Sequence, residues 1–294
     1  MHMPEEKAKR SVKVLRLLRE IVRHRFRFEG SQADLELLRS IHDGTYANTK
    51  PGDPSFHAYA AAINTASEFA TQALDFMELI PFNNQLADIQ EEYNPSYPPV
   101  SPVTSAFFAS WMVLDARDSF TQMSLGELFA HYLQQANQFD DVRKALAALN
   151  GCFCSFYEVM KVDALGLRLW DIAGRQEQEC WSSSGYPGLK GEIWYVRVVP
   201  PFVEGSSRSV TMVTPYVFKG SSRMAWESFF QRYLASGNGG DRSLHEYLKN
   251  GKSLGYWLEF IFQAFMGYTG NMIQVAGVPD NPDSLPHSDP KHKL

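Results

Sequence analysis

The run Glu192-Ile193-Trp194-Tyr195-Val196-Arg197-Val198-Val199 decides how this chain is read. Its alternate positions fall on two faces. One carries Trp194, Val196 and Val198, the other Ile193, Tyr195, Arg197 and Val199. Both faces are apolar apart from one arginine, which predicts a central strand covered on both sides. Working outward, Leu167–Ile172, Glu177–Trp181 and Ser209–Thr214 share the period of two and read as further strands. Ala173-Gly174, Tyr186-Pro187-Gly188 and Glu204-Gly205-Ser206-Ser207 supply the turns between them.

Beyond both ends of this section the apolar spacing becomes helical. Val14, Leu15, Leu18, Ile21 and Val22 form one stripe, and Ile63, Ala66, Phe69, Ala70 and Ala73 another. Asp53-Pro54 reads as a helix cap followed by a proline in the first turn, as does Ser101-Pro102. Ser124-Leu125-Gly126-Glu127 and Ser243-Leu244-His245-Glu246 fit capping boxes. Residues 81–102 read as an irregular loop, because prolines crowd it. The expected fold class is α+β. A helical domain over 1–163 precedes a small antiparallel β-sheet or partly open barrel over 164–219, with strands numbering about four. Helices in 220–276 pack on the sheet, and 277–294 read as a disordered tail.

The chain has 294 residues, 44% of them hydrophobic, enough for one large or two small domains and too apolar for a disordered chain. Its three cysteines argue against a disulfide scaffold. No secretory leader and no apolar run long enough to span a bilayer is visible, so a cytoplasmic, non-membrane protein is expected. Net charge is −5, but residues 1–27 alone carry +6, which leaves −11 for the remainder. A basic arm on an acidic body suits phosphate contact, a solvated helix face or internal ion pairing.

The motif search excludes several chemistries. No histidine pair has HxxxH or HExxH spacing, and Cys152-Phe153-Cys154 lacks the spacing of a zinc knuckle, so no metal site and no cofactor is expected. No glycine-rich phosphate cradle follows a strand. Ser182-Ser183-Ser184-Gly185 lacks the flanking glycines of a nucleophile elbow. Three groups of residues remain. Asp115 and Asp118 at i, i+3, with Glu127 and His131 at i, i+4, form the acid and imidazole set that acid–base catalysis would need. The same residues are also explained as a helix end and a cap. Arg16, Arg19, Arg23 and Arg27 could meet nucleic acid from the basic helix. Tyr186, Trp194, Tyr195 and Arg197 could line a binding groove on the β unit, or seal it against its covering helices.

Two stretches carry a resemblance. Asn94-Pro95-Ser96-Tyr97-Pro98-Pro99-Val100-Ser101-Pro102-Val103-Thr104 leads into a Phe/Trp-rich helix. Ser184–Pro201, with Gly188, Gly191 and the central strand, is followed by Thr214-Pro215-Tyr216-Val217-Phe218. Together they resemble a family of uncharacterised bacterial proteins, helical with a strand-rich section. The resemblance implies a bacterial, cytoplasmic setting and transfers no catalytic residue. The residues favour an intracellular, non-enzymatic protein that binds a protein partner or a second copy of itself through the aromatic β unit. An enzyme built on the acidic and histidine set and a nucleic-acid accessory protein built on the basic helix are the alternatives.

Overall fold

The computed structural model describes residues 3–46, 52–94, 101–163, 166–203, 206–220, 223–235, 256–279, 281 and 285. The fold is α+β, with its sheet in the C-terminal half. In chain order come α1 (Met3–Arg23), α2 (Gln32–His42), α3 (Pro54–Ala73), a 3-10 turn (Met77–Leu79), α4 (Ile80–Tyr93), α5 (Ser105–Leu114), α6 (Leu125–Ala136) and α7 (Asp140–Gly151). The strands are β1 (Cys154–Asp163), β2 (Gly166–Asp171), β3 (Gln176–Ser182), β4 (Ile193–Val199) and β5 (Ser209–Phe218). Then follow α8 (Arg223–Ala235), α9 (Tyr256–Ala264), β6 (Phe265–Thr269) and β7 (Met272–Val275). No helix among the described residues is long and apolar enough to cross a membrane.

The chain divides into two compact units. The first comprises Met1–Lys50, His57–Asp88 and Trp111–Gly151; the second comprises Pro51–Phe56, Ile89–Ser110 and Cys152–Leu294. The first is helical. Leu17 and Ile21 of α1, Leu35, Leu38 and Ile41 of α2, and Leu128, Phe129 and Leu133 of α6 are all buried. Phe69 of α3 stacks on Phe129 at 4.6 Å between ring centroids and meets Phe26 at 4.5 Å. The capping box at Ser124 is present: its hydroxyl accepts from the Glu127 amide, and the Glu127 carboxylate accepts from the Ser124 amide.

The second unit is built on a seven-stranded sheet in the order β3-β2-β1-β4-β5-β7-β6. Strands β1, β2 and β3 form an antiparallel meander, and β4 joins the other side of β1. Strand β5 then pairs antiparallel with β4 and, through its first residues, parallel with β3, which closes a five-stranded barrel. The far half of β5 pairs with β7, so β3 and β7 share one side of this strand. Between them β5 carries a bulge at Val213-Thr214-Pro215, where the register against β4 shifts and the proline has no amide to donate. Val213 there has φ +65°.

The barrel has two apolar surfaces. Inside lie Tyr157, Val159, Leu167, Leu169, Cys180 and the inward residues of β4, Trp194, Val196 and Val198. Outside, an aromatic layer joins the sheet to its helices. Phe156 stacks on Trp226 of α8 at 3.8 Å, Tyr195 meets Trp257 of α9 at 5.5 Å, and Phe107 of α5 meets Tyr216 edge-on at 5.1 Å. All seven residues of β4 are therefore buried, as the two apolar faces of its sequence require.

Several expectations are corrected. β1 is a strand although it falls within the helical domain expected over 1–163, and β6 and β7 form a hairpin after α9 where only helices are expected. Ile80–Tyr93 is helical because Pro81 sits in the first turn, where no intrahelical amide bond is lost. The helix expected after Ser101-Pro102 starts later. The Thr104 hydroxyl caps it by accepting from the Phe107 amide at 3.2 Å, while Ser101 donates to the Tyr93 carbonyl at 2.5 Å. The second capping-box match, Ser243–Glu246, and most of 277–294 lie outside the described residues.

Candidate functional site

The parallel pairing of β3 with β5 is short. Cys180, Trp181 and Ser182 face Ser209, Val210 and Thr211, whereas Gln176–Glu179 pair with β2 alone among the described residues. Strand β3 thus leaves β5 ahead of Cys180, and the wall opens into a seam. A cleft of about 170 Å³ sits there, lined by Asp163 at the end of β1, Leu167 and Arg168 of β2, Glu179 and Cys180 of β3, and Ser207 and Arg208 just before β5.

Its floor is apolar and its rim is charged. Leu167 and Cys180 are buried in the barrel interior. Burial, assisted by the neighbouring Glu179, pushes the Cys180 thiol up to about 12, so it stays protonated and is no nucleophile near neutrality. Gly166 adjoins this floor with φ +145°, and a Cβ on it would lie 2.4 Å from the Cys180 carbonyl oxygen, so only glycine lets β2 start this close to β3. On the rim, Arg168 faces Glu179 across the strands at 3.3 Å and Glu177 at 3.9 Å. Lys161 pairs with Asp163 at 2.9 Å. Exposed pairs of this kind are worth about 0–1 kcal/mol, so an incoming ligand exchanges them at little cost. The cleft offers two guanidiniums and two carboxylates over an apolar floor.

The groove expected from Tyr186, Trp194, Tyr195 and Arg197 is drawn inward instead. Trp194 fills the barrel, Tyr195 belongs to the outer aromatic layer, and Arg197 is fully buried and donates to the Cys152 carbonyl at 2.5 Å. Tyr186 is half-buried and seals one end of the barrel. Its hydroxyl donates to Glu192 at 2.8 Å, and the same carboxylate accepts from the Trp194 indole at 3.0 Å and the Leu189 amide at 2.9 Å. Burial, with help from Glu192, raises the Tyr186 phenol above its ordinary value. The aromatic content of this section thus serves packing.

In the first unit, Asp115 and Asp118 are buried. Asp118 closes the turn after α5, accepting from the Thr121 amide at 2.6 Å. Glu127 is occupied by its capping box and by Arg117, whose two terminal nitrogens reach it at 3.0 and 2.8 Å. His131 is half-buried on α6. No group of three or more histidine, cysteine, aspartate or glutamate side chains among the described residues is arranged to hold a metal ion. On α1, Arg16 pairs with Glu78 at 2.5 Å and with Glu20 at 3.6 Å, while the side chains of Arg19 and Arg23 are exposed; Arg27, also exposed, lies beyond the end of the helix. Nothing in the sequence groups the cleft residues, because Arg168, Glu179 and Arg208 are charges of both signs on three separate segments. Only the non-local pairing of β3 with β5 brings them together.

No protein-family model, no curated protein and no solved structure matches this chain.

Proposed function

We propose that the barrel is a non-enzymatic binding module of a cytoplasmic protein, and that it takes an extended peptide segment of a protein partner at the β3–β5 seam. The observation that carries this reading is the edge of β3 at Gln176–Glu179, which pairs with no strand but β2 among the described residues and lies directly beside the cleft. An extended peptide can add to such an edge through main-chain hydrogen bonds, with a side chain entering the neighbouring pocket. Paired charges of both signs on the rim suit a peptide, which carries both. All three cysteines are thiols, as a reducing compartment requires.

One observation favours a second reading. A five-stranded Greek-key barrel is also the framework of oligonucleotide- and oligosaccharide-binding folds, whose ligands use strands 2 and 3 and the loops between strands 1–2 and 4–5. The cleft occupies the same positions in this barrel. Shared connectivity does not transfer function, and Asp163, Glu177 and Glu179 around Arg168 oppose a polyanion.

Selection of a random-sequence peptide library on the intact protein tests the proposal. Enriched peptides should bind wild type and lose about tenfold or more in affinity to Glu179→Arg and Arg208→Glu variants, since each loses a charge-assisted contact and gains a repulsion. Failure to enrich any peptide, or peptides indifferent to both substitutions, overturns it. Competition by oligothymidylate at the same site would transfer the cleft to the second reading.

A further inference from the structure

Helix α1 buries Leu17 and Ile21 on one side and leaves an unusual opposite side. Val12 is 67% exposed and Leu15 54% exposed. Residues 12, 15, 16, 19 and 23 follow helical spacing, so these two apolar groups share a ridge with Arg16, Arg19 and Arg23. The Arg16–Glu78 ion pair ties this ridge to the 3-10 turn at Met77–Leu79. Glu78 is held below its ordinary carboxylate range chiefly by the hydrogen bond from Arg16. Flanking Glu78, Met77 is 79% and Ile80 44% exposed. Four large apolar side chains therefore stand in solvent around one neutralised ion pair, with exposed Lys13, Arg19 and Arg23 beside them.

We propose that this face docks reversibly on an anionic lipid surface. Stable membrane association of a folded protein takes two signals, apolar insertion and coulombic attraction, and this ridge carries both. On this ridge the exposed apolar groups stand beside cations, and binding at an interface grows with both the apolar area inserted and the attraction to anionic lipid. Nucleic acid would use the arginines but has no use for four exposed aliphatic and thioether side chains, and the ridge offers no aromatic ring for a base to stack on. Cations on the ridge meet lipid phosphates and carboxylates, while Leu15 and Met77, with flexible side chains, reach toward the acyl boundary.

Co-sedimentation of the full chain with phosphatidylcholine vesicles, with and without phosphatidylserine, tests this. The protein should pellet with the phosphatidylserine vesicles and bind the neutral ones about tenfold or more weakly. Arg19→Glu with Arg23→Glu should abolish pelleting. Leu15→Ser with Met77→Ser should weaken it about tenfold at an unchanged melting temperature, because both side chains are solvent-exposed in the free protein. No pelleting, equal pelleting on both vesicles, or indifference to the Leu15/Met77 double substitution overturns the proposal. Tight binding of a duplex oligonucleotide, with none to vesicles, would assign the face to nucleic acid. Failure here leaves the reading of the barrel cleft untouched.

Discussion

Replacing Gly188 by alanine probes the barrel's closed end, and Gly185 provides its internal control. The two glycines lie three residues apart in the β3–β4 loop with nearly equal left-handed backbones, φ +74° and +72°. A Cβ at Gly185 meets nothing within 4 Å, whereas one at Gly188 would lie 2.6 Å from the Trp194 ring and 3.5 Å from Leu167. The Trp194 ring cannot retreat. It is fully buried among the barrel strands, and its indole nitrogen is held by Glu192 at 3.0 Å. Both substitutions carry a left-handed penalty of about 1–2 kcal/mol. Only Gly188→Ala adds overpacking, about 1–3 kcal/mol. For a unit of this size each kcal/mol lowers the melting temperature by about 2–4 °C. Urea unfolding followed by tryptophan fluorescence should therefore place Gly188→Ala about 1–3 kcal/mol below Gly185→Ala. Equal losses in the two variants would refute the seat of Trp194 against this turn.

Other outcomes follow from the same contacts. Val213→Gly should change stability by less than about 1 kcal/mol, since relief of the φ +65° strain offsets the lost side chain, whereas Val217→Gly in the barrel interior should lose about 3 kcal/mol. Glu127→Ala should lower the melting midpoint by an amount equivalent to about 1–2 kcal/mol, and its effect with Ser124→Ala should fall short of additive, because both dismantle one cap. Cys180 gives an alkaline signature. Its thiol is raised in the folded state from an ordinary 9.0 to about 12, so above pH 9 the unfolded chain releases a proton that the folded one keeps. Stability should fall above pH 9 with a slope approaching about 1.4 kcal/mol per pH unit, and Cys180→Ser should remove that slope. The buried phenols of Tyr157 and Tyr216, raised by desolvation, should steepen the loss above pH 10 in both proteins. Urea titrations across this range check both statements.

What the sequence disclosed depended on how local the governing physics is. Strand β2 and the start of β5 were legible from alternating apolar residues, β4 from its nearly unbroken apolar run, and β3 from the glycine-bearing turns that bracket it. The Ser124–Glu127 cap was legible because both partners lie within one turn. β1 was not, since Phe156, Val159 and Met160 also satisfy helical spacing and continue the stripe of α7; the break at Gly151 carried the signal. The β6–β7 hairpin was hidden for a similar reason, its Phe265 extending the apolar face of α9. The aromatic cluster was visible, but its burial was not, because one strand covered on both faces looks in sequence like one presenting a ligand face. The seam could not be foreseen at all. It depends on a parallel contact between Cys180–Ser182 and Ser209–Thr211, segments separated by the whole of β4.

The central claim concerns the open edge of β3, and amide hydrogen exchange measures it directly. With a library-selected peptide bound to the intact protein, the amides of Gln176–Glu179 should exchange more slowly, together with those of Ser207 and Arg208 beside the cleft. Protection confined to other strands or to the helices, with the β3 edge exchanging as fast as in the free protein, would contradict the account.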